Sequence, residues 1–238
     1  MPDPDAVVQP AWRWPRRCLL CSAWGSQALC PPCLARFASP RPRCPRCALA
    51  LPQATSCGNC LREPPPFDAA IAAADYGFPW DRLIADFKFH DQPELARTLG
   101  EVLLDALRRH GGARRVQAIV PVPLSDARLA ERGYNQAWEL ARRLGRALRV
   151  PALPEALLRL HDTPHQVGLS RQERLANLRD AFWVPPEGAA LLRGREVALV
   201  DDVLTTGVTA ALASQALLRA GAARVTLWVL ARTPPPGD

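Results

Sequence analysis

All eight cysteines of this 238-residue chain fall between positions 18 and 60, and all sit in Cys-x-x-Cys pairs. The pairs are Cys18/Cys21, Cys30/Cys33, Cys44/Cys47 and Cys57/Cys60, separated by eight, ten and nine residues. A Cys-x-x-Cys turn aims two thiolates at one point, and two such turns complete a tetrahedral metal shell. Four turns therefore predict two four-cysteine sites. Zn2+ is the expected ion, and an iron–sulfur cluster is the alternative that soft thiolates also select. A redox Cys-x-x-Cys needs one pair on a thioredoxin-like scaffold, which four successive pairs without a βαβ pattern do not supply. Sequential pairing, first pair with second and third with fourth, is favoured over a cross-braced arrangement. The spacers suit short ribbon hairpins, although they are tighter than the roughly fifteen to twenty residues usual for such motifs. So short a segment buries little apolar surface, so the metal would supply its folding free energy. Four thiolates leave no open position for catalysis, so these sites are structural.

The same segment holds most of the charge. Of the formal +7, nearly all lies in residues 1–62, where eight arginines face only Asp3 and Asp5. Such a surplus suits either polyanion binding or a well-solvated small domain. Trp12, Trp14, Trp24 and Phe37 are interleaved with these arginines, a mixture that fits base stacking on single-stranded nucleic acid. Trp24 and Phe37 are expected instead as core material, with Trp12 and Trp14 open to either role. The N-terminus has no apolar stretch of the secretory kind, and no apolar run approaches the ~18 residues of a membrane span. The expectation is a cytoplasmic protein whose cysteines hold metal rather than disulfides.

Beyond the cysteines the pattern changes to alternating strands and helices. The expected strands are 67–76, 116–124, a short one near 156–160, "DAFWV", 195–203 and 223–231. Between them come amphipathic helices over 79–89, 94–110, about 134–149 and about 208–220. The stretch "HDTPHQVGLSRQER" has no apolar period and is expected as an exposed loop followed by a brief helix. Strands separated by helices imply a parallel sheet covered on both faces, with ligands at the carboxyl ends of its strands. The expected organisation is a disordered arm 1–17, a double zinc ribbon 18–62, a linker at Pro64–Pro66, an α/β domain 63–233 and a disordered tail 234–238.

Within that second domain, "VALVDDVLTTGVTA" places Asp201 and Asp202 at the end of a core strand. Fully buried adjacent carboxylates would repel each other, so they are expected to face a cleft. The residues that follow offer hydroxyls at Thr205, Thr206 and Thr209 and a glycine for a tight turn into a helix. This is an anion cradle at a helix N-terminus. Acids beside a phosphate cradle fit a ribose 5-phosphate; a helix cap alone would explain one acid but not the ensemble.

This stretch resembles the PRPP-binding motif of type I phosphoribosyltransferases. By that resemblance Asp201 and Asp202 would hold the ribose hydroxyls, and Thr205, Thr206, Gly207, Val208 and Thr209 the 5-phosphate. In active members the pyrophosphate is also bound through Mg2+, and the two acids would support an oxocarbenium-like state. The resemblance extends further. "IVPVPLSDARLAERGYNQAWELA", "DTPHQVGLSRQERLANLRDAF" and "ADFKFHDQPELARTLG", behind an N-terminal double zinc ribbon, are similar to the ComF/GntX-like family. The resemblance implies a phosphoribosyltransferase-like fold over 63–233 and a cytoplasmic role in natural competence, with single-stranded DNA, the competence helicase and other DNA-uptake proteins as partners. Lys88, Arg128, Arg132 and Arg174 are the expected contacts to pyrophosphate or DNA phosphate. Arg171, His165 and Gln166 lie with Arg174 in a loop that could close over a ligand. A transferase acting on a base or amine, and a PRPP sensor without chemistry, are the competing expectations.

Overall fold

The computed structural model describes residues 15–111, 115–160 and 181–234. The expectations for the arm up to residue 14, for Trp12 and Trp14, for the loop with His165, Gln166, Arg171 and Arg174, and for the tail from 235 lie outside the described residues. The chain divides into two compact units, Met1–Ser39 and Pro40–Asp238.

In the first unit, β1 (Arg16–Arg17) pairs antiparallel with β2 (Trp24–Gly25), and α1 (Pro31–Phe37) follows. Pro31 at the start of α1 costs no hydrogen bond, because the first N–H groups of a helix have no partner within it. Trp24 is not core material: it is 68% exposed, with the Arg17 guanidinium 5.1 Å from its ring centroid. A ribbon this small has no interior wide enough for an indole.

The second unit opens with a structural repeat of the first. Cys18 N–H donates to the Ala23 carbonyl at 2.8 Å, and Cys44 N–H donates to the Leu49 carbonyl at 2.8 Å. Each turn closes on a residue of positive φ, Ser22 at 60° and Ala48 at 56°. Each second pair starts a short helix, α1 or α2 (Gly58–Arg62), and the N–H groups of Cys30 and Cys57 donate to Cys18 Sγ and Cys44 Sγ at 3.4 Å.

The remainder of the unit is the expected α/β layer. Strands β3 (Ala69–Asp75), β4 (Ala118–Pro121), β7 (Glu196–Leu204) and β8 (Arg224–Arg232) form one sheet in the order β3-β8-β7-β4, all parallel. β7 and β8 are central, and Val197–Val200 and Leu227–Val229 are fully buried. That double-faced burial is why they appear in the sequence as continuous apolar runs rather than alternating ones. Helices α4 (Leu95–His110) and α6 (Gln136–Leu148) pack on each other and on the sheet, burying Leu99, Leu103, Leu107, Leu140 and Leu144. Each such leucine contributes about 1.5–3 kcal/mol relative to exposure. Across the sheet, α8 (Val208–Arg219) joins Val197, Leu199, Leu227 and Val229 in one buried cluster through Ala210, Ala213, Ala216 and Leu217.

Three local expectations differ. The short segments near 158 and 182 do not enter the parallel sheet; β5 (Leu158–Arg159) and β6 (Phe182–Trp183) form their own antiparallel pair. Strand β4 is shorter than 116–124, because Pro121 and Pro123 lack the N–H that continues a ladder. Two further helices, α5 (Asp126–Arg132) and α7 (Pro186–Leu192), complete the layer beside α3 (Trp80–Phe89).

Candidate functional site

At the carboxyl edge of the sheet, β7 carries Asp201 and Asp202 into a cleft of about 370 Å3. Successive strand residues point to opposite faces, so the two acids diverge and do not share one environment. Asp202 turns toward α3, where Lys88 Nζ lies 2.9 Å from its Oδ1, and it is only 7% exposed. Asp201 turns the other way, toward the start of α8. Burial, with the like charge of Asp202 next, raises the Asp201 carboxyl to about 7, opposed by the Asp202 N–H it accepts at 2.8 Å and by Lys88 and Arg159. One acid is thus paired with a cation, and its neighbour is poised to take a proton near neutrality.

The strand then turns into α8 through Thr205, Thr206 and Gly207. Gly207 has φ 87°, a left-handed value that costs a residue with a Cβ about 1 kcal/mol or more. No side chain caps α8, so the N–H groups of its first turn face outward without an intrahelical partner. Thr205, Thr206, Val208 and Thr209 are exposed around them. Free helix N–H groups and threonine hydroxyls thus stand beside two acids.

The opposite wall comes from the segment after β4. Ser125 caps α5 by accepting from Arg128 N–H at 3.4 Å, which presents the Arg128 side chain to the cleft. Gly133 ends α5 at φ 73°. Asn135 then does two things: its Oδ1 accepts from Trp138 N–H at 3.2 Å and caps α6, and its Nδ2 donates to the Val122 carbonyl at 3.0 Å. Tyr134 donates its hydroxyl to the Phe87 carbonyl, one residue before Lys88. The Arg-Gly-aromatic-Asn-Gln run therefore fixes the helix that presents the cleft's lysine.

Most expected site residues meet here. Asp201, Asp202, Thr205, Thr209, Lys88 and Arg128 line the cleft, and Gly207 lines a smaller adjoining space of about 40 Å3 with Asp201. Thr206 lies on the loop and Val208 opens α8, and neither lines either space. Arg132 is turned elsewhere, its guanidinium 4.9 Å from the Phe89 ring centroid and its Nη1 donating to Gln136 Oε1 at 3.1 Å. Arg174 is outside the described residues. Sequence reasoning missed Tyr76, Arg159, Gln136 and Thr233, which also line the cleft. Among the described residues Gln136 Nε2 and Thr233 Oγ1 are buried without a hydrogen-bond partner, although both residues line the cleft. Tyr76 and Thr233 were accessible in principle, since they immediately follow β3 and β8 at the same carboxyl edge.

The cysteines form two groups, Cys18/Cys21/Cys30/Cys33 and Cys44/Cys47/Cys57/Cys60, with the sulfurs of each within 4.8 Å of one another. The sequential arrangement is the one observed. Cys21 and Cys30 Sγ are 3.6 Å apart, as are Cys47 and Cys57 Sγ. A tetrahedron with Zn–S bonds of about 2.3 Å has edges near 3.8 Å, so the donors fit Zn2+. Burial opposes ionisation of Cys18, but N–H groups of Cys30, Cys21 and Leu20 bring its thiol down to about 6. Burial and the neighbouring sulfurs push Cys33 up to about 12. Four thiolates cannot all ionise together without a cation at their centre. These are two structural Zn2+ sites.

Residues 11–61 match the double zinc ribbon domain family. Ribbon and sheet together define a class: an α/β protein with an acid-lined cleft at the carboxyl edge of its sheet, preceded in the chain by two four-cysteine knuckles. The chain is 38% identical over 226 residues to DNA utilization protein YhgH of Escherichia coli K12, covering 92% of this chain and 98% of that one. It is 38% identical over 224 residues to competence protein F of Haemophilus influenzae, covering 91% and 96%. It is 37% identical over 116 residues to competence protein ComFC of Bacillus subtilis, covering 48% and 44%. The chain belongs to this competence and DNA-utilization family, the ComF/GntX-like family. Among solved structures, glutamine PRPP amidotransferase from B. subtilis overlaps 56% of this chain and 25% of that one, with a TM-score of 0.40 at 18% identity. Among the described residues no helix is long and apolar enough to cross a membrane.

Proposed function

We propose that the cleft is a type I phosphoribosyltransferase-like site for PRPP or another ribose 5-phosphate, in a cytoplasmic DNA-processing factor that also binds single-stranded DNA. The observation that carries this reading is the junction of β7 and α8, where two diverging carboxylates stand beside an uncapped helix N-terminus. A 5-phosphate accepts hydrogen bonds from the N–H groups of the loop and from Thr205 and Thr209. Asp201 and Asp202 accept from the ribose hydroxyls. Arg128 and Lys88 stand on the side where pyrophosphate charge would need neutralising. Mg2+ would be held mainly through the ligand's own phosphate oxygens, since Asp202 Oδ1 already faces Lys88, and would supply charge stabilisation for the leaving pyrophosphate. For DNA, support comes from the exposed Trp24 with Arg17 stacked against it, beside Arg16, a pairing suited to sequence-tolerant base stacking.

The test is calorimetric binding of PRPP with Mg2+ to the wild type and to Asp201→Asn/Asp202→Asn, with and without single-stranded DNA. The reading expects PRPP binding to be lost in the variant and DNA binding retained. PRPP binding that survives the double substitution contradicts it. A second reading, an active transferase on a base or amine, is favoured by Asp201, whose elevated carboxyl suits proton transfer near neutrality. It predicts pyrophosphate release with one acceptor of a panel, and PRPP binding without any release removes it.

A further inference from the structure

Arg232, the last residue of β8, holds four carbonyl oxygens that belong to different parts of the second unit. Its Nε donates to the Cys47 carbonyl at 3.0 Å. Its Nη1 donates to the carbonyls of Leu204 at 2.9 Å, Thr205 at 2.6 Å and Thr233 at 2.7 Å. Cys47 contributes its sulfur to the second cysteine group, and Leu204 and Thr205 begin the loop that carries the anion cradle. A guanidinium has rigid donor geometry, and hydrogen bonds from a charged donor are about twice as strong as neutral ones. One side chain therefore spans the metal knuckle and the cleft loop.

The knuckle is fastened to the same strand ends by further contacts. Arg43 Nη1 donates to Asp75 Oδ1 at 2.6 Å and to the Ala48 carbonyl at 3.0 Å, and Arg41 Nη1 donates to Asp75 Oδ2 at 2.6 Å. Ala70 N–H donates to the Pro45 carbonyl at 3.1 Å, and Ala48 is fully buried in the cluster that contains Phe67. Asp75 precedes Tyr76, a cleft residue whose N–H donates to the Arg232 carbonyl at 2.8 Å. The second cysteine group is thus built into the rim of the cleft.

We infer that Arg232 is a positioning residue that couples the second cysteine group to the phosphate loop, so that metal at Cys44, Cys47, Cys57 and Cys60 shapes the cleft. The ligand side of this coupling rests on the reading of the cleft proposed above. Small metal knuckles lose their fold when the metal is removed. The Cys47 carbonyl then leaves Arg232, and the guanidinium no longer has a fixed position from which to hold Leu204 and Thr205. Linkage is reciprocal, so a ligand that orders the loop slows loss of metal from the second group.

The test uses the full chain loaded with two equivalents of Zn2+, with Arg232→Lys as the variant and Arg41→Lys as the control. Arg41 donates to Asp75 Oδ2 and, among the described residues, to no carbonyl of the cleft loop. Hydrogen–deuterium exchange across residues 204–211 is expected to rise at least tenfold in Arg232→Lys and to stay at the wild-type level in Arg41→Lys. It should rise similarly in the wild type when a chelator strips the metal, with no further rise on stripping Arg232→Lys. Ribose 5-phosphate should slow alkylation of the second-group cysteines at least threefold in the wild type, leave Cys18, Cys21, Cys30 and Cys33 unaffected, and lose this protection in Arg232→Lys. Loop exchange that is the same in zinc-loaded wild type and Arg232→Lys overturns the coupling, even if metal removal unfolds the unit. If the exchange responses occur but ribose 5-phosphate binds nowhere, the coupling stands and the reading of the cleft falls.

Discussion

Replacing Asp201 by Asn tests the electrostatics of the cleft directly. In the folded protein the Asp201 carboxyl is raised to about 7 by burial and by Asp202, whereas in the unfolded chain it titrates in the ordinary carboxylate range. A raised carboxyl stabilises the fold in its protonated form. That contribution is complete below about pH 4 and is lost as pH rises through about 7. A displacement of about three pKa units corresponds to at most ~4 kcal/mol. Asparagine copies the shape of the protonated acid without its titration. At pH 8, Asp201→Asn should therefore be more stable than wild type by roughly 2–4 kcal/mol, and near pH 4 the two should coincide. For a unit of this size each kcal/mol moves the midpoint by about 2–4 °C, so the gap at pH 8 is on the order of 4–16 °C. Thermal unfolding followed by circular dichroism from pH 4 to 8.5 reads it, and PRPP binding measured in parallel should fall. A variant less stable than wild type at pH 8, or a difference that does not change with pH, refutes the reasoning.

Lys88→Met leaves Asp202 buried and unpaired, which costs about 3–5 kcal/mol; adding Asp202→Asn should restore most of it, and a double-mutant cycle by urea unfolding checks both. Asn135→Ala removes the cap of α6 and the tie to Val122, a loss of about 1–2 kcal/mol in the same assay, with Lys88 and the cleft disturbed only indirectly. Substituting Arg16 and Arg17 together should weaken single-stranded DNA binding and flatten its dependence on salt by roughly 0.7 for each phosphate no longer neutralised; unchanged affinity in a filter-binding titration would remove the ribbon from the DNA site.

The parts of this molecule that were legible in sequence are those where one short segment carries its own chemistry. The cysteine spacing gave both metal sites and their sequential pairing, because each knuckle is closed by local hydrogen bonds. The strand that carries Asp201 and Asp202 showed its burial as an apolar run and its cleft-facing acids as a break in that run. What stayed hidden depends on residues far apart in the chain. Lys88 was expected as a ligand contact, and its ion pair with Asp202, a residue far along the chain, left no mark in the sequence. Arg232 looked like the end of a strand, although its guanidinium joins three distant segments. The helix Asp126–Arg132 did leave a signal, Ser125 as cap and Gly133 as terminator, but it is too short to show an apolar period. The segments at 158 and 182 resembled sheet strands because pairing partner and sheet membership are not written in a two-residue apolar step.

The most direct measurement of the central claim is a crystal structure of the full chain soaked with PRPP and Mg2+. The 5-phosphate is expected on the N–H groups of residues 205–209, the ribose hydroxyls on Asp201 and Asp202, and Arg128 toward the pyrophosphate. A cleft that stays without ligand at saturating PRPP, or a ligand seated away from the end of β7, would contradict it.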